Sequence, residues 1–266
     1  MTVVKVTEDN LDDFLEVCNL IKGDKNFEEG ILKMRSWALD LLSEENLIAF
    51  LAYMDNKPVA QIMGYPGRQY PLMGEEYRDF LVLQCIFNSC RECRRRGIGD
   101  KLIEKFIDEA RRRGYKYIVS YAFDSGEPEA ESQRNFLIKR GFKQINGGEE
   151  EDIYYSLSGA EVSDLKIPTI YRKGENYRPQ REDHGTALIF YTSSCPYGYF
   201  NAIKTGRRIL QIAGNLEMEI VDIWRDPIRF LDKEMNWLLV NGVPINSLPY
   251  EGDKFVEEVS SALNIG

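Results

Sequence analysis

The chain has 266 residues, 43% of them apolar and 12% aromatic, enough for ordinary hydrophobic cores and unlike a disordered polypeptide. Its length exceeds one average domain, so two domains are expected. A formal charge of −9 argues against nucleic-acid binding, which wants a basic face. No run approaches the ~18 apolar residues of a membrane span. No basic stretch leads into an apolar one at the start. A soluble, cytoplasmic protein without nucleic-acid or membrane partners is expected.

Residues 2–7 read as a short strand, and Leu11, Phe14, Leu15, Cys18 and Ile21 follow with helical spacing. A second amphipathic helix is predicted over 27–43. Leu47 to Met54 and Pro58 to Tyr65 form a hairpin across Asp55-Asn56-Lys57. A polar loop over 66–79 leads to a buried strand, Phe80 to Phe87. The next helix, Ile98 to Arg113, carries the apolar stripe Ile98, Leu102, Ile103, Phe106, Ile107 and Ala110. Arg111, Arg112 and Arg113 favour its C-terminal dipole, and Gly114 ends it. Strand Tyr115–Phe123, helix Glu129–Arg140 stopped by Gly141, an acidic turn over 147–152 and strand Ile153–Leu157 complete this part. Residues 158–185 lack periodicity and read as a connection. Beyond them come strand Ala187–Tyr191, helix Phe200–Ala213, strand Met218–Trp224 and short helix Pro227–Met235. A hairpin follows across Asn241-Gly242, with Trp237–Val240 and Val243–Asn246 as its arms, then a helix over Gly252–Leu263.

Arg91, Arg94, Arg95 and Arg96 crowd into six residues of an otherwise acidic chain, which suits a small anion rather than a polyanion. The segment Arg94-Arg95-Arg96-Gly97-Ile98-Gly99 lies between a strand and a helix. A helix's first turn offers unpaired N–H groups and a partial positive charge, so a diphosphate fits there. Gly97 and Gly99 would let it approach the backbone. The dinucleotide fingerprint lacks its third glycine, and the triphosphate loop lacks Gly-Lys-Ser/Thr. Cys90 and Cys93 have the spacing of half a metal site. One histidine and no second cysteine pair leave a four-ligand site hard to assemble, so no metal is expected and the five cysteines are expected reduced.

Arg94-x-x-Gly97-x-Gly99, with the later Lys139-Arg140-Gly141-Phe142, resembles the signatures of the GNAT acetyltransferase superfamily over about residues 2–158. The resemblance implies an α/β (α+β) acyl-CoA N-acyltransferase fold with a mixed central sheet. It implies acetyl-CoA as co-substrate, its diphosphate on the amides of Arg94, Arg95, Arg96, Gly97, Ile98 and Gly99. Its pantetheine arm would lie along the splayed strand at Ile86 and Phe87. A small-molecule or peptide amine would be the acceptor.

Transfer to an amine needs a base, an oxyanion partner and an acid for the leaving thiolate. The position where family members often carry a tyrosine acid is Leu137, beside Phe136, and neither donates a proton. Tyr121, Tyr154 and Tyr155 are possible replacements. Cys85 could line the same cleft, and Glu75, Glu76 and Asp79 could attract a cationic acceptor.

Cys195-Pro196-Tyr197-Gly198 between a strand and a helix resembles thioredoxin-like domains, where a helix N-terminus acidifies a cysteine. The second cysteine is replaced by Gly198, and no proline stands near Asn236. The expected domains are a GNAT domain over 1–160, a linker over 161–185 and a smaller thioredoxin-like α/β domain over 186–266. Together they resemble YoaP-type GNAT proteins. A non-catalytic acetyl-CoA sensor, or a thiol- or metalloid-handling protein acting through Cys195, are the alternatives.

Overall fold

The computed structural model describes residues 1–122, 131–163, 167 and 177–263. The chain forms two compact units, one of Met1–Leu20 with Arg35–Pro168, the other of Ile21–Met34 with Thr169–Gly266.

In the first unit a seven-stranded sheet runs in the order β1-β2-β3-β4-β5-β7-β6. Its strands are β1 (Thr2–Lys5), β2 (Ile48–Met54), β3 (Lys57–Pro66), β4 (Phe80–Asn88), β5 (Tyr117–Tyr121), β6 (Lys143–Gln144) and β7 (Asp152–Ser156). Only β4 and β5 pair in parallel; the other neighbours are antiparallel, so the sheet is mixed as expected. Asp55 and Asn56 make the β2–β3 turn, both with positive φ (50° and 60°), and Lys57 already belongs to β3. The two-residue β6 is too short for a periodic signal and was not expected.

The helices are α1 (Leu11–Cys18), α2 (Lys25–Ser43), of which the part up to Met34 belongs to the second unit, α3 (Ile98–Arg112) and α4 (Gln133–Ile138). All six stripe residues of α3 are buried, and they pack on Ile48, Phe50, Ile62, Leu81, Leu83 and Ile118. On the opposite face, the Gln61 amide reaches Cys18 of α1 (2.8 Å), and Trp37 of α2 meets Tyr65 edge-on at 6.1 Å. Glycine is obligatory at Gly64, where a Cβ would stand 2.1 Å from the Val82 carbonyl and 2.6 Å from Phe106.

Two boundaries in particular differ from expectation. α1 ends at Cys18 because Asn19 leaves helical geometry (ψ 67°), so Ile21 falls outside it. α4 starts at Gln133, where the Ser132 hydroxyl caps it by accepting from the Asn135 amide at 3.1 Å. The expected start, Glu129, and the expected end of β5, Phe123, lie outside the described residues.

The second unit has a four-stranded sheet in the order β11-β10-β8-β9. Its strands are β8 (Thr186–Tyr191), β9 (Glu217–Asp222), β10 (Leu238–Val240) and β11 (Val243–Pro244), joined by α5 (Pro196–Ile212), α6 (Pro227–Asp232) and α7 (Asp253–Leu263). β8 and β9 are parallel, and β10 is antiparallel to both β8 and β11. Ala187, Ile189 and Tyr191 share a core with Ile209 of α5 and Phe255 and Val259 of α7. Phe190, on the other face, takes Phe230 of α6 at 5.0 Å. α5 begins four residues earlier than the hydrophobic spacing suggests. Cys195 is its N-cap and Pro196 its first residue, where a missing N–H leaves nothing unpaired.

The stretch read as a linker is partly built into this unit. Asp183 and Lys233 are 3% and 4% exposed, and the Lys233 ammonium donates to Asp183 (2.8 Å), Gln180 (2.9 Å) and Glu182 (3.3 Å). The Tyr177 hydroxyl donates to the other oxygen of Asp183. Burial pulls the Lys233 ammonium down, but its bonds to Asp183 and Tyr177 outweigh that and leave it above the ordinary lysine range.

Candidate active site

β4 and β5 are hydrogen-bonded neighbours at three positions only: Phe80 with Tyr117, Leu81 with Ile118 and Val82 with Val119. Beyond Val82 the pairing of the two strands ends, and the Ser120 hydroxyl donates to the Leu83 carbonyl at 2.9 Å. On its other edge β4 stays paired with β3 through Asn88. That pairing slips by one residue: Gly64 faces Leu83 and Met63 faces Cys85, so Gln84 is a bulge. The bulge resets the alternation of side chains. Leu81, Leu83 and then Ile86 meet the α3 core, whereas Cys85 and Phe87, paired with Met63 and Gln61, face the α1 side. Ile86 and Phe87 thus sit on the diverging part of the strand, with one backbone edge turned away from β3.

This opening leads to the start of α3. Among the described residues, no backbone carbonyl accepts from the amides of Arg95 to Asp100; the first to find one is Lys101, on Gly97 at 3.2 Å. The Arg94 amide, by contrast, is taken by the Arg91 carbonyl (3.2 Å), which removes it from the expected cradle. Arg95 and Gly97 hold left-handed conformations (φ 61° and 72°), and Arg95 and Arg96 are exposed. Such a run of free amides at a cationic helix start can accept a diphosphate.

The two glycines serve different ends. At Gly97 a Cβ would have open space, its nearest neighbour being Asp100 at 3.9 Å, so it is the positive φ that calls for glycine. At Gly99 a Cβ would meet the Phe136 ring at 2.8 Å; the requirement comes from packing against α4 rather than from phosphate approach. Ile98 is buried and anchors the turn in the core. Arg140 secures it from the second signature: its guanidinium donates to Asp100 (2.7 Å) and to the Phe136 carbonyl (2.7 Å), and lies 3.4 Å over the Phe136 ring.

Leu137 is fully buried and takes no part in chemistry. Tyr154 is 4% exposed. Tyr155 lies on the α3 side, against Phe142 (5.4 Å) and within reach of Arg111 (3.4 Å). Tyr121, half-buried at the end of β5, is the tyrosine beside the strand divergence. Sequence reasoning missed Tyr65, whose buried hydroxyl donates to the bulged Gln84 at 2.7 Å; burial holds this phenol well above its ordinary range. Asp79 is not an unpaired carboxylate, since Lys116 bonds it at 2.7 Å.

Cys90 and Cys93 are joined by a disulfide, contrary to the expectation of reduced thiols, because the tight turn Arg91–Cys93 brings their Cα atoms to 5.2 Å. Among the described residues no cluster of three or more histidine, cysteine or acidic side chains could hold a metal ion.

In the second unit Cys195 caps α5 as expected, but its thiol is not acidified. Phe27 covers the turn, 5.0 Å from Tyr197 and 5.5 Å from Phe200, and a Cβ on Gly30 would stand 2.5 Å from the Pro196 carbonyl. Burial pushes the Cys195 thiol up, and the amides of Tyr197 and Gly198 only partly offset this. Titration with a thiol reagent should therefore return an apparent pKa above the ordinary value of about 8.5; a depressed value would restore the reactive-thiol reading. Gly198 holds the place of a second cysteine for a steric reason: a Cβ there would lie 2.5 Å from the Thr192 carbonyl.

A mixed sheet whose parallel strands β4 and β5 part beside the start of α3 defines the N-terminal unit as a mixed α/β fold. The model of the acetyltransferase (GNAT) family matches residues 11–142, and this stretch belongs to that family. No curated protein matches the chain. Similar solved structures include the PaiA N-acetyltransferase of Thermoplasma acidophilum in complex with coenzyme A. It is 14% identical, with 59% of this chain and 99% of that one covered and a TM-score of 0.42. The ribosomal-protein-alanine N-acetyltransferase of Brucella melitensis is 17% identical, with 59% and 100% covered and a TM-score of 0.43. A GNAT family acetyltransferase of Brucella melitensis in complex with acetyl-CoA is 15% identical, with 63% and 96% covered and a TM-score of 0.41.

Proposed function

We propose that the protein is an acetyl-CoA-dependent N-acetyltransferase acting on a small-molecule or peptide amine. The observation that carries this reading is the continuity between the parted strands β4 and β5 and the free amides at the start of α3. The amides from Arg95 to Gly99 would hold the diphosphate, with Arg95 and Arg96 neutralising its charge. The β5-side backbone edge at Ile86 and Phe87 would pair with the amide-bearing pantetheine arm, as a further strand pairs with an edge. When bound, acetyl-CoA supplies an activated thioester. A backbone amide of β4 beyond Val82 would stabilise the developing oxyanion. In this reading Tyr121, at the end of β5, would protonate the leaving thiolate.

The second unit is a thioredoxin-like module of the YoaP type in this reading, over 186–266, with 161–185 joining it to a GNAT domain over 1–160. What supports this is the sequence of a parallel β8–α5–β9 crossover, an antiparallel β10–β11 hairpin and a closing helix. The high thiol of Cys195 favours a role in presenting or recognising the acceptor over one in redox chemistry.

Release of free CoA, measured over a panel of amines and peptides, tests the activity. Acceptor-dependent release is the expected result. Tight acetyl-CoA binding with no release for any acceptor would leave a sensor, a reading that the buried Leu137 at the acid position also fits.

A further inference from the structure

The Cys90–Cys93 disulfide closes the turn between the parted end of β4 and the start of α3, the two parts that the proposed function assigns to one ligand. The ends of this turn are held differently. Cys93 is 7% exposed and sits in the core with Ile98, Leu102 and Phe106. Cys90 is half-buried at the rim, its amide on the Asn88 side chain (2.9 Å) and its sulfur 3.6 Å from Glu92. The turn is held by two backbone bonds, from the Cys93 amide to the Cys90 carbonyl (3.1 Å) and from the Arg94 amide to the Arg91 carbonyl (3.2 Å). Ser89, just before it, is fixed to the Val59 carbonyl (3.0 Å). Two anchored segments are thus joined through a short turn, and the disulfide is its covalent brace.

The surroundings suit exchange at the outer sulfur. Arg91, Arg94, Arg95 and Arg96 lie within six residues of Cys90 in sequence, and cationic neighbours favour a thiolate. Glu92 opposes this, as a lone carboxylate among four guanidinium groups.

We propose that Cys90–Cys93 is a reversible dithiol–disulfide couple that locks the diphosphate loop and so sets its affinity for acetyl-CoA. The proposal rests on the acetyl-CoA reading above. Opening it needs an external dithiol. One thiolate of that reductant attacks the Cys90 sulfur, the Cys90–Cys93 bond breaks, and Cys93 leaves as a thiolate that takes up a proton. The reductant's second thiol then displaces Cys90 from the mixed disulfide. The protein gains two electrons and two protons, and the reductant becomes its own disulfide. Cys93 stays in the core, while Cys90 and the turn up to Glu92 lose their brace.

The test compares the full-length chain, oxidised with diamide or reduced with dithiothreitol, by calorimetry with acetyl-CoA. A Cys90→Ser/Cys93→Ser variant stands for the open form. The oxidised protein should bind about tenfold more tightly than the reduced one, and the variant should match the reduced protein in either condition. Affinities equal within about twofold would overturn the proposal, as would a redox response that persists in the variant and so belongs to Cys18, Cys85 or Cys195. Peptide-resolved hydrogen exchange over residues 88–99 separates this from failure of the acetyl-CoA reading. If neither form binds acetyl-CoA, faster exchange there on reduction still upholds the lock, and unchanged exchange removes it.

Discussion

Replacing Gly97 with valine should weaken acetyl-CoA binding by at least about tenfold, or about 1.4 kcal/mol, by calorimetry. The residue has φ 72°, which a β-branched side chain adopts only with strain. The variant therefore has two courses open to it. It can keep the turn and carry the strain, or relax it and turn the amides of Gly97, Ile98 and Gly99 away from a common point. The second course, which relieves the strain, removes charge-assisted bonds worth about 1.5–3 kcal/mol each. Gly97→Asn is the control, because asparagine tolerates the left-handed region and should bind within about threefold of the parent. Equal affinity for Gly97→Val and the parent would mean that the loop does not hold the diphosphate. Gly99→Ala is a poorer probe, since it disturbs Phe136 rather than the ligand.

The largest loss of stability is expected from Lys233→Ala, at about 3–5 kcal/mol in the unfolding transition of the second unit. Removing the ammonium leaves the Asp183 carboxylate 3% exposed, with Tyr177 and the Gln180 amide as its remaining partners among the described residues. The cost comes from that stranded charge, so the double variant Asp183→Leu/Lys233→Met should lose far less than Lys233→Ala alone. Chemical denaturation followed by tryptophan fluorescence reads both. A Lys233→Ala loss below about 1 kcal/mol would show that water reaches Asp183 and that the pair is not a structural bolt.

Much of this fold is legible in the sequence where a periodic pattern meets a local rule. The α3 stripe, six apolar residues at helical spacing, is buried in full, and both hairpins turn at pairs able to adopt positive φ, Asp55-Asn56 and Asn241-Gly242. What escapes the reading is set by a single residue or by distant partners. Gln84 shifts the phase of β4 by one, so no period-2 count over Phe80–Phe87 can tell that Leu83 and Ile86 share a face. The need for glycine at Gly99 lies in Phe136, 37 positions away in the chain. Lys233, in a segment with no motif, is buried because Asp183 waits for it on the connection. The Cys90–Cys93 bond was within reach of the spacing, but the default of reduced thiols in a chain of this length hid it.

The parting of β4 from β5 has a structural cost as well as a use. It places a seam in the middle of a sheet, where among the described residues the β4–β5 ladder ends at Val82 and Val119 while β4 runs on to Asn88. Such a seam resembles the open flank of a sheet, able to adopt any extended chain of the right length. An occupant that zips it shut would stiffen both halves of the sheet together, so a bound ligand here would act as a missing strand of the fold.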